Sequence, residues 1–123
     1  KEKIKICILG FSFKENIPDI RNTKIINLIN LFKNKGFKFK VYDSLVSKKD
    51  VQDKFGIKIY DFKEIKKDKF DIIILAVPHK NFIKNVTFYN QFYKNFDKKI
   101  FFDLKNIYSS EKLFKNNFKY FQL

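Results

Sequence analysis

The stretch from Gly10 to Thr23, GFSFKENIPDIRNT, gathers Lys14, Glu15, Asp19 and Arg21 between an apolar run and a run with helical spacing. A strand handing over to a helix ordinarily needs about two to six residues. The surplus length and charge mark a binding loop. Lys14 is a compact point charge suited to a phosphate or sugar oxygen. Arg21 is the one arginine among 27 basic residues, and its planar fork grips an anion in a way that lysine does not copy. Asp19 reads as a structural partner or cap rather than a catalytic acid.

Three further polar residues stand where strands should end. Asp43 closes FKFKVYD much as the ribose-binding acid of a dinucleotide domain does, but it lies 33 residues beyond Gly10, past the usual spacing of about 20. Capping of the next turn is the expected role. His79 follows DIIILAVP, where it could touch a ligand or serve as a cap or surface group, and no catalytic role is assigned to it. Lys105 follows Asp103 in DLKNIY. Cys7 is the single cysteine, so neither an intrachain disulfide nor a multi-cysteine metal site can form. Its place among Ile4, Ile6 and Ile8 reads as a buried, inert thiol in a reducing compartment.

The elements that would position these residues follow from the apolar spacing. Ile4 to Leu9 is a near-continuous apolar run, as a strand of a buried parallel sheet requires, and Gly10 ends it. From Thr23 to Lys35 apolar residues recur every three or four positions, with Asn22 or Thr23 as N-cap and Gly36 just past the end. Phe37 to Asp43 forms a second strand, completing a right-handed β-α-β unit. A short helix over Lys48 to Phe55, a short strand in GIKIY and one helical turn over Phe62 to Lys67 follow. Asp71 to Val77 is the clearest buried strand, closed by Pro78 and His79. A helical stretch lies between Lys80 and Phe96, another strand ends at Asp103, and FKYFQL reads as an edge strand. Strands alternating with helices predict an α/β fold, a Rossmann-like three-layer domain with a mainly parallel sheet of five to six strands flanked by helices.

In such a sheet, ligands bind outside the carboxyl ends of the strands, where strand order reverses. The glycine pattern there excludes one reading. A dinucleotide fingerprint needs G-x-G-x-x-G, whereas Gly10 is followed by Phe11, Ser12 and Phe13, so NAD is not clasped by this turn.

The chain of 123 residues is expected to fit one domain, residues 1-123; it has no apolar run of membrane length, and its start KEKIKICILG reads as a strand, too short in its apolar part for a signal peptide. A soluble, cytoplasmic protein is expected, with no membrane partner. The absence of Met and a start just before a strand point to a fragment or processed piece. The net charge of +14 raises nucleic acid as a partner. However, the cations are nearly all lysine, are scattered along the chain, and belong to a Lys, Ile, Phe and Asn bias covering 72 of 123 residues. Nucleic-acid readers lean on arginine, so a free-standing basic module, with nucleic acid as its ligand, is kept only as the alternative.

GFSFKENIPDIRNTKIINLINLFKNKGFKFKVYDS resembles the start of the C-terminal domain of the UDP-glucose/GDP-mannose dehydrogenase family: a strand, G-x-x-F-K, then D-x-R and a small polar residue opening a helix, then a strand ending V-Y-D. FKENIPDIRNTK is most similar to the bacterial branch that oxidises UDP-N-acetylhexosamines, and DIIILAVPHKNF and IFFDLKNIY extend the resemblance over nearly the whole chain. The resemblance implies a UDP-sugar-binding domain of a three-part, NAD-dependent UDP-sugar 6-dehydrogenase serving surface polysaccharide synthesis. Such enzymes oxidise the sugar C6 alcohol twice, through a thioester on a cysteine of a Gly-rich motif that is absent here. Cys7 does not match that cysteine, so the chain alone should bind without catalysing. By the same resemblance, Phe13 and Lys14 meet the nucleotide sugar, Lys105 stands where many relatives place a substrate-holding arginine, and Arg21 reaches toward NAD bound mainly by the missing N-terminal domain. The other implied partner is the missing dimerisation segment.

Overall fold

The computed structural model describes residues 4–122. The chain runs β1 (Lys5–Leu9), α1 (Ile25–Lys35), β2 (Lys38–Tyr42), α2 (Lys48–Phe55), β3 (Ile59–Tyr60), α3 (Phe62–Lys67) and β4 (Ile72–Leu75). Two 3₁₀ helices (Lys80–Phe82 and Val86–Phe92), β5 (Lys99–Asp103), α4 (Ser110–Lys115) and β6 (Phe118–Gln122) complete it. The sheet has six strands in the order β3-β2-β1-β4-β5-β6, and every strand pair is parallel. The chain therefore builds outward from β1 to β3, crosses back to β4 on the other side of β1, and builds outward again. The order reverses between β1 and β4, which makes their carboxyl ends the switch point of a Rossmann-like domain.

The pleat sorts the apolar strand residues onto two faces. Ile6, Ile8, Val41 and Ile74 pack with Ile29 and Phe32 of α1 and Val51 of α2. Cys7, Leu9, Ile73, Leu75 and Phe101 face the other way, against Ile65 of α3, Tyr89 and Phe92 of the second 3₁₀ helix, and Leu113 of α4. Full burial of one such Ile or Phe side chain contributes about 1.5–3 kcal/mol relative to exposure. Burial also pushes the Cys7 thiol far above its ordinary pKa, so it stays a protonated core group.

Three local features depart from the spacing argument. The helical stretch between Lys80 and Phe96 is not an α-helix but the two 3₁₀ segments. Here the Tyr89 hydroxyl donates to the Phe82 carbonyl (2.5 Å) and the Tyr108 hydroxyl to the Lys84 carbonyl (2.7 Å). Carbonyls tied by buried phenols hold the tighter winding, and packing overrides helical period. Second, α1 starts at Ile25, with Lys24, itself in the helical region of φ and ψ, just before it. The Thr23 hydroxyl donates to the Phe11 carbonyl (2.6 Å) and also accepts from the Ile25 amide (3.3 Å), so Thr23 serves the helix start as expected, whereas Asn22 has a left-handed φ of 60°. Third, α4 is an element that the apolar spacing does not predict. It has six residues with Leu113 alone buried, too short for a periodic signal, although Ser109 caps it by accepting from the Lys112 amide (3.1 Å). Gly36 ends α1 in the left-handed conformation that its position implied. Among the described residues no helix is long and apolar enough to cross a membrane.

Candidate functional site

Gly10 sits at the switch point with φ +100°, and a Cβ built there would lie 2.6 Å from both the Cβ and the carbonyl oxygen of Val77. Only glycine lets the end of β1 approach β4 so closely. The Leu9 carbonyl accepts from the Ala76 and Val77 amides (2.9 and 3.2 Å), and the Gly10 amide donates to the Tyr42 carbonyl (2.9 Å).

A buried polar cluster then fixes the loop that follows. Asp43 Oδ2 accepts from the Phe11 amide (2.7 Å), the Ser12 amide (3.0 Å) and His79 Nε2 (2.8 Å), and Oδ1 accepts from the Leu45 amide (2.9 Å). The bond to Leu45 is the turn cap expected of Asp43; the other three tie β1, β2 and β4 together. Burial opposes ionisation of this carboxyl, but the bonds from His79, Phe11 and Leu45 outweigh it and hold its pKa below the ordinary value.

His79 is neither a surface group nor a side-chain cap: it is 1% exposed and makes no capping bond. Its Nδ1 accepts from the Asn16 amide (2.9 Å), which selects the tautomer with the proton on Nε2, facing Asp43 and the Ser12 hydroxyl (3.2 Å). The Ser12 hydroxyl in turn donates to the Lys14 carbonyl (2.9 Å). Sequence reading missed this unit. Its members sit at three different strand ends, and strand order, unknown from the sequence, is what joins them.

Beside this cluster lies a cleft of about 330 Å³ whose walls include Phe13, Lys14, Lys24, Val77 and Lys105. Phe13 and Lys14 thus meet Lys105, far from them in sequence, at the switch point. Phe13 is half exposed, and its amide donates to the Asp19 carbonyl (2.7 Å), which folds the loop back on itself. Lys105 is presented by a turn built on buried Asp103, whose carboxylate accepts from the Ile107 and Tyr108 amides (3.1 and 2.9 Å) and from Gln122 (3.0 Å).

Arg21 does not line this cleft. It lies in a separate hollow with Asp19 and Ser47. There its Nε and Nη2 donate to the two Asp19 oxygens (3.0 and 2.9 Å) with its side chain 79% exposed. The hydrogen bonds from Arg21 hold the Asp19 carboxyl down at about 2. A wider hollow of about 700 Å³ lies by Asn16, Ser44, His79 and Lys84.

The turn after β1 does not fit a dinucleotide. The Phe11 and Ser12 amides, which would face a pyrophosphate in such a turn, are already bonded to Asp43, and Gly10 serves contact with Val77 instead. Among the described residues no group of three His, Cys, Asp or Glu side chains is placed to hold a metal ion.

An all-parallel sheet with its polar cleft at the switch point defines a nucleotide-binding type of domain. Residues 7–110 match the model of the UDP-glucose/GDP-mannose dehydrogenase family, UDP binding domain, and the chain belongs to that family. It is 40% identical over 108 residues to Protein CapL of Staphylococcus aureus, covering 88% of this chain and 24% of that protein. It is 34% identical over 114 residues to UDP-N-acetyl-D-glucosamine 6-dehydrogenase of Salmonella typhi, covering 89% and 25%. The chain thus spans about a quarter of the length of these relatives. Its fold matches the crystal structure of NDP-N-acetyl-D-galactosaminuronic acid dehydrogenase from Methanosarcina mazei Go1, with a TM-score of 0.82 at 19% identity over 98% of this chain and 24% of that one.

Proposed function

We propose that the cleft holds the uridine diphosphate part of a UDP-sugar, as the C-terminal domain of a longer, cytoplasmic, NAD-dependent UDP-sugar 6-dehydrogenase. The observation that carries this reading is the convergence of Phe13, Lys14 and Lys105 on one cleft at the switch point. Lys14 and Lys105 supply positive charge for phosphate oxygens, and Phe13 supplies exposed apolar surface beside them. The relatives support the sugar class: one is a UDP-N-acetyl-D-glucosamine 6-dehydrogenase. Catalysis and most of the NAD contact fall to domains outside this chain. Arg21, clear of the cleft and exposed, is free to face the NAD held by such a domain. The alternative, a free-standing basic module for nucleic acid, has no support from the family.

A thermal-shift titration with UDP, UDP-N-acetylglucosamine, NAD and DNA, at low and high salt, tests the reading. Stabilisation by both uridine ligands that persists at high salt, with none by NAD, is the expected result. A shift produced equally by DNA and abolished by salt would overturn it in favour of the basic module.

A further inference from the structure

Lys24 lines the same cleft as Lys14 and Lys105, at a position that folding alone disfavours. It stands at the start of α1, beside Thr23, whose hydroxyl accepts from the Ile25 amide (3.3 Å), and it puts a cation at the positive end of the helix dipole. No acid stands in the first turn of α1 to compensate, whereas α2, α3 and α4 open on Ser47, Asp61 and Ser109 with Asp50, Glu64 and Glu111 in their first turns. The Lys24 charge works against the helix dipole, and it acquires a use only through what surrounds it. Lys14 comes from the loop after β1 and Lys105 from the turn after β5, so three separate segments each send a lysine to one hollow, where Glu15 is the single acid.

Several surface cations elsewhere are paired with acids: Arg21 with Asp19, Lys5 and Lys40 with Asp68, Lys94 with Asp71. Among the described residues no side-chain hydrogen bond or ion pair engages Lys14, Lys24 or Lys105. Concentrated, uncompensated charge of one sign in a cleft raises the local concentration of the opposite ion. A local rule broken without structural gain is what a binding site leaves in a sequence.

We propose that Lys24 is a third cation of the nucleotide-sugar site, its ammonium meeting diphosphate oxygens together with Lys14 and Lys105. This inference rests on the reading of the cleft given above. It makes the site selective for a diphosphate over an uncharged nucleoside.

The test replaces Lys24 by the residue a helix start prefers, Lys24→Ser, with Lys24→Arg as the conservative variant. The affinities of UDP, inorganic pyrophosphate and uridine are measured by calorimetry at two salt concentrations, beside the melting temperature without ligand. Lys24→Ser should weaken UDP and pyrophosphate about tenfold, flatten the salt dependence, leave uridine unchanged, and keep or raise the melting temperature. Lys24→Arg should retain most of the affinity. Equal affinity for UDP in wild type and Lys24→Ser would overturn the inference, as would a loss that extends to uridine and accompanies a lower melting temperature, the mark of a structural residue. If pyrophosphate binds in a Lys24-dependent way but UDP gains nothing over it, the inference stands and the uridine reading falls. If wild type binds neither, both fall.

Discussion

Asp43 and His79, 36 residues apart in the chain, meet over the end of β1, with His79 Nε2 donating to Asp43 Oδ2 at 2.8 Å and both side chains almost wholly buried. The same carboxylate oxygen receives the Phe11 and Ser12 amides. It therefore sets the path of the loop that carries Phe13 and Lys14. Asp43→Asn turns one of these acceptor positions into a donor facing donors, and should cost about 3 kcal/mol of stability. Urea unfolding checks this against Asp53→Asn, which breaks only the exposed Lys49–Asp53 pair and should change stability by under about 0.5 kcal/mol. Equal effects would show that the Asp43 cluster does not hold the fold.

Acid should unfold the protein through named carboxylates. At Asp68, burial raises the pKa but the bonds from Lys5 and Lys40 outweigh it, leaving the group at about 2; Asp43 is also lowered. A carboxyl depressed in the folded state contributes stability that is complete above its unfolded value of about 4 and is lost as pH falls through its folded value. The urea midpoint should therefore hold between about pH 6 and 5 and fall steadily from about pH 4 towards 2. Asp68→Asn should shallow that fall. A midpoint flat down to about pH 2.5 would contradict the linkage.

Gly10→Ala tests the approach of β1 to β4. The left-handed φ and the 2.6 Å contact with the Val77 backbone combine backbone strain with a clash, for a loss of about 2–4 kcal/mol. Gly36→Ala, equally left-handed but with open space around the added Cβ, should cost only about 1 kcal/mol. The difference between the two unfolding free energies measures the close packing at the switch point.

Lys14→Ala should weaken UDP-sugar binding about tenfold and leave the melting temperature of the free protein unchanged. Unchanged affinity would remove Lys14 from the site.

Arg21 is predicted to act outside the cleft. Within a longer dehydrogenase of the kind proposed, Arg21→Lys keeps the charge but loses the two-pronged geometry, and should raise the NAD requirement or lower turnover more than it changes UDP binding. Kinetics equal to wild type would leave the Asp19–Arg21 pair a purely structural device.

Much of the fold was legible because its signals are local. The Ile-rich runs of β1 and β4 and the three-and-four spacing of α1 are carried within each segment. The capping role of Asp43 was readable for the same reason, since its partner Leu45 is two residues away. The stretch from Lys80 to Phe96 misled because its aromatic spacing suits either winding, and the choice was made by Tyr89 and Tyr108, whose hydroxyls reach carbonyls of that stretch. Thr23 was readable as a cap because its hydroxyl accepts from the Ile25 amide two residues on, whereas its second bond, to the Phe11 carbonyl, is tertiary.

Local sequence is enough to specify an alternating α/β domain with an over-long, charged loop after its first strand, whose lone arginine stands two residues from Asp19. These are properties of composition and of neighbours within a few residues. Only the tertiary structure decided that β1 lies between β2 and β4. That order brings Ser12, Asp43 and His79 into one buried cluster, gathers Lys14, Lys24 and Lys105 around one cleft, and leaves Arg21 in another hollow. Contacts across thirty or more residues depend on how the strands are ordered in space, and no local periodicity encodes that order.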